Sequence, residues 1–162
     1  MERKAVKKIY LDTSVISFLE AHDAPDKMEI TRKWWNKGRL YSQIYISELT
    51  LREIQNCPEP KRSKLLKELS SINFGYIKIN KAIKSLAEHY ISQNIIPVKY
   101  KDDALHIATA TLSNCDIILS WNFKHMVKLK TIREVNNINR QLGYKTINIM
   151  APSELIKKEG SD

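Results

Sequence analysis

The sequence predicts an α/β domain built on a mainly parallel sheet with helices on both faces. Three observations lead there. Short apolar runs alternate with amphipathic stretches along the chain, as strand–helix–strand units require. DIILS, residues 116–120, reads as a continuous apolar strand of the kind buried on both faces. At 162 residues the chain has the size of one domain and can bury a substantial core.

The elements follow in order. VKKIYL (6–11) is a strand with its apolar residues at the end. Thr13 and Ser14 are favourable helix caps, and VISFLEA after them suits a short helix. HDAPD is a loop, and residues 26–37 form an amphipathic helix stopped by Gly38. SQIYIS (42–47) is the next strand, and Ser47 caps a helix through ELTLREIQN that Cys57-Pro58-Glu59-Pro60 breaks. Residues 61–72 form a basic amphipathic helix, and GYIKIN (75–80) alternates as a strand does. Residues 81–94 are helical in period, Pro97 marks a break, and 102–114 form a helix rich in small residues. After DIILS comes a polar, basic segment, 124–142, helical beyond Val127. KTINIM (145–150) is the last strand and PSELIKK (152–158) a closing helix.

Composition narrows the function classes. Lys and Arg total 27 against 18 Asp and Glu, a net charge of +9 that favours a polyanionic partner such as nucleic acid. Two cysteines, Cys57 and Cys115, are too few for a disulfide framework or a zinc site and fit a reducing, cytoplasmic setting. Asp12 interrupts the only apolar run near the start, which argues against a signal peptide. No run approaches the length of a membrane span, so no membrane partner is expected.

Open parallel sheets bind ligands beyond the carboxyl ends of their strands. Asp12 sits at such an end, and so does Asn122 after DIILS. Glu53 lies in the helix after the second strand, and Asp103 opens the helix before DIILS. Glu48 competes with Glu53, but as a first-turn acid it is explained by the helix dipole, whereas Glu53 shares a face with Leu49 and Thr50. Asp103 shares a face with His106, Ile107 and Ala110 and should point inward; Asp102 should face water. Carboxylates gathered closely repel one another unless a cation joins them. Oxygen ligands suit Mg²⁺ or Mn²⁺, which can activate a water and polarise a phosphodiester.

The pieces KKIYLDTSVI, YISELTLREI, DDALHIATAT and CDIILSWNFKHMV, in that order, resemble the PIN-domain family over roughly residues 6–130, and the chain has about the size of its VapC-like toxin members. The resemblance implies a Rossmann-like α/β/α sandwich and a ribonuclease dependent on Mg²⁺ or Mn²⁺. It places Asp12, Glu53 and Asp103 as the catalytic and metal-binding acids. Thr13 or Ser14 would be the assisting hydroxyl. Asn122 stands where the family usually has a fourth acid, a departure that removes a charge; Asp116 starts the same strand at its opposite end and is an outside candidate. By the same likeness the chain is the toxin of a type II toxin–antitoxin pair, with an RNA substrate, a small antitoxin protein as partner, and dimers as such toxins often form.

Arg52, Lys99, Lys101, Lys124 and His125 lie near the acids in this reading and are candidates for substrate phosphates. His106, in a small apolar helix, reads first as a structural histidine. Trp34, Trp35 and Trp121 could stack bases, though Trp34 and Trp35 fit core or a subunit interface better. Two rival readings stand. One is a PIN-like module that binds nucleic acid or a partner without cutting, motivated by Asn122. The other is a nuclease acting on DNA flaps, for which the short chain lacks threading elements.

Overall fold

The computed structural model describes residues 6–160; the basic start of the chain, 1–5, lies outside the described residues. Five strands form one sheet in the order β3-β2-β1-β4-β5, and every pairing is parallel. They are β1 (Lys7–Leu11), β2 (Ser42–Ser47), β3 (Gly75–Ile77), β4 (Ile117–Leu119) and β5 (Asn148–Met150). The chain starts at the centre, moves outward through β2 and β3, then returns to lay β4 on the other flank of β1. That reversal creates a switch point between β1 and β4, the place where open α/β sheets bind ligands beyond the strand ends.

The period-two pattern divides the core into two layers. Ile9, Leu11, Ile44, Ile46, Ile117 and Leu119 face one side. There they meet α1 (Thr13–Ser17), α2 (Pro25–Asn36), α3 (Glu48–Gln55), α4 (Lys61–Ser70) and α8 (Pro152–Gly160). Tyr10, Ile118 and Ile149 face the other side and pack on α5 (Lys81–Ser92), α6 (Lys101–Leu112) and α7 (Leu129–Gln141). The result is the expected α/β/α sandwich. Trp34 and Trp35 are 0% and 3% exposed and belong to the first layer, which removes them as stacking or interface residues of this chain. Gly38 follows the end of α2 because a Cβ there would collide with the Trp34 ring.

Four strands are shorter than the sequence implies, β1 by Val6 alone, and side chains account for two of the differences. After Ile77 the backbone leaves the sheet because Ile79 N donates to Glu48 Oε1 at 2.6 Å and Asn80 caps α5. Glu48 is therefore a tether as well as a first-turn acid. Ile147 is held by α7 instead of β4: Asn136 donates to Ile147 O and accepts from Ile147 N, both at 2.8 Å. DIILS contributes only Ile117–Leu119. Asp116 lies at the far end of β4, where it accepts from Lys8 N at 2.8 Å and pairs with Lys145. It fastens the opposite edge of the sheet and is no substitute for a site acid.

Candidate active site

Asp12 extends β1 by one residue, its N–H donating to Leu119 O at 3.2 Å across the switch point. It is the N-cap of α1, so the capping role expected of Thr13 and Ser14 falls to Asp12 itself: its Oδ1 accepts from Ser14 N at 2.6 Å and from the Ser14 hydroxyl. Its Oδ2 accepts from Ser120 Oγ at 2.5 Å. Ser14 Oγ also accepts from Trp121 N at 2.8 Å, and Ser120 Oγ from Asn122 N at 2.9 Å. Two hydroxyls thus lock the turn after β1 to the turn after β4. Sequence reasoning passes over Ser120; the one signal for it is a polar residue ending an apolar strand.

Glu53 projects from α3 and is half-buried. Its Oε1 accepts from Thr13 Oγ1 at 2.9 Å and pairs with His106 Nε2 at 2.7 Å. His106 is 3% exposed, and its Nδ1 lies 2.6 Å from the Tyr10 hydroxyl, which also bonds Ser47 Oγ at 2.8 Å. Burial works against a charged His106, but Tyr10, the Glu53 hydrogen bond and the charges of Asp12 and Glu53 outweigh it and lift its pKa well above the usual histidine value. Burial also pushes Glu53 upward, yet His106, Thr13 and Arg52 together hold its carboxyl below the ordinary range. The pairing favours the charged form of His106, which gives it a part beside the acids beyond the structural one the sequence implies.

Asp103 opens α6 and shares its half-buried setting with a different set of neighbours. Burial raises its pKa, the Asn122 amide turned toward it lowers it, His106 and His125 lower it, and Asp12 raises it. The net direction is upward, because among the described residues no ion pair offsets burial as His106 does at Glu53. Asn122 Oδ1 accepts from His125 N at 3.0 Å, which fixes the amide in the turn after β4. An amide there stabilises Asp103, where a fourth carboxylate would repel it.

The fold therefore brings Asp12, Asp103 and Asn122 to one place, with Glu53 beside them and bound to His106. Asp12 and Asp103 offer carboxylate oxygens, while the Oδ1 of Asn122 is taken by His125 N and its amide faces Asp103. That donor set suits a hard divalent cation, which needs one or two carboxylates and keeps several waters. Among the described residues no three His, Cys, Asp or Glu side chains are gathered so as to hold a metal ion between them. The hydroxyls of Thr13 and Ser14 are both committed to the acids. Arg52, Lys99, Lys101 and Lys124 are exposed. His125 is half-buried, and its Nε2 has no hydrogen-bond partner among the described residues. Trp121 is 7% exposed and donates to Thr31 Oγ1 at 2.9 Å, so it presents little surface for stacking. No helix among the described residues is long and apolar enough to cross a membrane.

The sequence profile of the PIN domain matches residues 9–124. Among solved structures the chain is similar to VapC20 of Mycobacterium tuberculosis, a sarcin-ricin loop cleaving toxin, with a TM-score of 0.55 and 16% identity over 68% of this chain and 86% of that one. It is also similar to VapBC2 of Rickettsia felis bound to a DNA fragment from its promoter, with a TM-score of 0.50 and 12% identity over 89% of this chain and 98% of that one. At such identities the likeness is one of fold. No curated protein sequence matches the chain.

Proposed function

The chain belongs to the PIN domain family, and from that premise we propose that it is a divalent-metal-dependent endoribonuclease, the toxin of a type II toxin–antitoxin pair. The observation that supports the reading is Asp12 at the end of β1, tied through Ser120 to the turn that carries Asn122, with Asp103 raised chiefly by burial and to a lesser degree by the charge of Asp12. Carboxylates brought to one edge of a sheet are favoured in their charged form by a bound cation. The likeness in fold to two VapC-type structures supports the toxin role.

In this reading Asp12 and Asp103 hold Mg²⁺ or Mn²⁺, and Asn122 keeps Asp103 in place. When bound, the ion would supply Lewis acidity and a water of lowered pKa. Glu53, expected from the resemblance as a metal ligand, takes the neighbouring role. Its Oε1 is held by Thr13 and His106, which fixes where the carboxylate stands and keeps it ionised to orient a water. Ser14 and Ser120 aim the two Asp12 oxygens. Arg52 and Lys124 meet the substrate's phosphates, and His125 stands next to them. A small antitoxin protein as partner, a homodimer and a cytoplasmic setting belong to the same proposal.

A PIN-like module that binds without cutting is the second reading, favoured by the amide at Asn122 and by the pairing of Glu53 with His106. Cleavage of a mixed RNA with and without Mn²⁺, by wild type and Asp12→Asn purified identically, separates the two. Metal-dependent cutting that vanishes in the variant supports the nuclease. RNA bound by both proteins and cut by neither supports the module.

A further inference from the structure

The acid chemistry leaves unused an aromatic and cationic rim on the turn that carries Asn122. Phe123, the next residue, is 47% exposed. Its ring continues a series with Trp121 and Phe18, successive centroids being 6.0 Å and 5.8 Å apart. Lys27 reaches across from α2 and places its ammonium 5.5 Å from the Phe123 centroid and 5.6 Å from each of the other two. Further along the same turn, His125 stacks on Tyr100 with centroids 4.0 Å apart, and Lys124 stands 5.4 Å from the Tyr100 centroid. His125 also bears on the charge of Asp103, which ties this second group to the acids.

An exposed phenyl ring backed by two more buried ones contributes little to folding. It does offer a rigid apolar ring, and Lys27 over that ring and Lys124 next along the chain match phosphates rather than an apolar partner. Faces for bases beside cations for the backbone are what binds unpaired nucleic acid; in a duplex the bases already stack on one another and have no free face to give. The net charge of +9 agrees in sign.

We propose that Phe123, packed against Trp121 with the ammonium of Lys27 over its ring, is a stacking platform for an unpaired base of the bound strand. This rests on the nuclease reading for what happens to the strand, and on the rim alone for how it is bound.

The test is fluorescence anisotropy of the full chain in EDTA, where nothing is cut. The probes are a mixed-sequence single-stranded RNA, an abasic ribose-phosphate strand of the same length, and a duplex. Wild type should bind the base-bearing strand about tenfold more tightly than the abasic one or the duplex. Phe123→Ala should weaken only the base-bearing strand, about five- to thirtyfold, and Phe123→Trp should restore it. Lys27→Ala should weaken both single strands and reduce the salt dependence by about one charge. Equal binding of the base-bearing strand by wild type and Phe123→Ala overturns the proposal and hands the rim to a protein partner. Equal losses on base-bearing and abasic strands, or no binding of any strand, overturn it too. Failure of the nuclease reading shows separately, as no cutting with Mn²⁺ by a protein that still binds.

Discussion

Glu53 and Asp103 are both half-buried carboxylates beside the same switch point, yet their proton affinities move in opposite directions. Glu53 is lowered, because His106 is hydrogen-bonded to it inside the protein. Asp103 is raised, because burial and the charge of Asp12 meet only an amide and more distant imidazoles. Glu53 has a hydrogen-bonded imidazole to offset its burial, whereas Asp103 has an amide and no such partner. The difference teaches where an added cation belongs. In the proposed reading, Asn122 spares Asp103 the repulsion that a fourth acid would add.

The largest expected effect tests the uncompensated half. Asp103→Asn should lower Mn²⁺-dependent cleavage by at least about a hundredfold. Urea unfolding in EDTA should find the same variant as stable as wild type or more so, since a repulsion is removed. A clear loss of metal-free stability would make Asp103 a structural cap instead.

The compensated half should behave in the reverse way. Glu53→Gln leaves a buried imidazolium without its partner and should cost about 2–3 kcal/mol in EDTA, at the low end for a broken buried pair because the Glu53 side chain is 35% exposed. The double variant Glu53→Gln, His106→Gln should recover part of that loss, and unfolding midpoints of the four proteins measure the coupling. Additive losses would show that the two side chains do not act as a pair.

pH sharpens the comparison further. The folded pKa of His106 lies above its unfolded value of 6.5, so its contribution is fully present below pH 6.5 and is lost as pH rises through the folded value. Metal-free wild type should therefore lose stability on the alkaline side of pH 6.5, and His106→Gln should show a flatter profile there. The smallest effect is expected at Tyr10. Tyr10→Phe removes one hydroxyl from His106 and should cost about 1 kcal/mol by the same unfolding assay, with cleavage largely kept.

Much of this site is legible in the sequence. The placement of Asp12 and Asn122 follows from one rule about strand ends, and that of Asp103 and Glu53 from helical spacing against apolar neighbours. The sandwich follows from period two in the strands, as in the split of Ile117 and Leu119 from Ile118. What escapes is side-chain meeting over long sequence separation. His106 and Glu53 are 53 residues apart and join two helices on opposite faces of the sheet. Lys27 meets Phe123 only because α2 folds back beside the turn after β4. The shortened strands have the same origin: Glu48 and Asn136 draw the backbone away by bonds that no local pattern announces.

The central claim is that the cation belongs to Asp12 and Asp103 while Glu53 is served by His106. Mn²⁺ binding followed by electron paramagnetic resonance, on wild type, Asp103→Asn and Glu53→Gln, tests it directly. The account predicts one ion per chain, lost in Asp103→Asn and kept in Glu53→Gln. An ion kept in Asp103→Asn and lost in Glu53→Gln would contradict it.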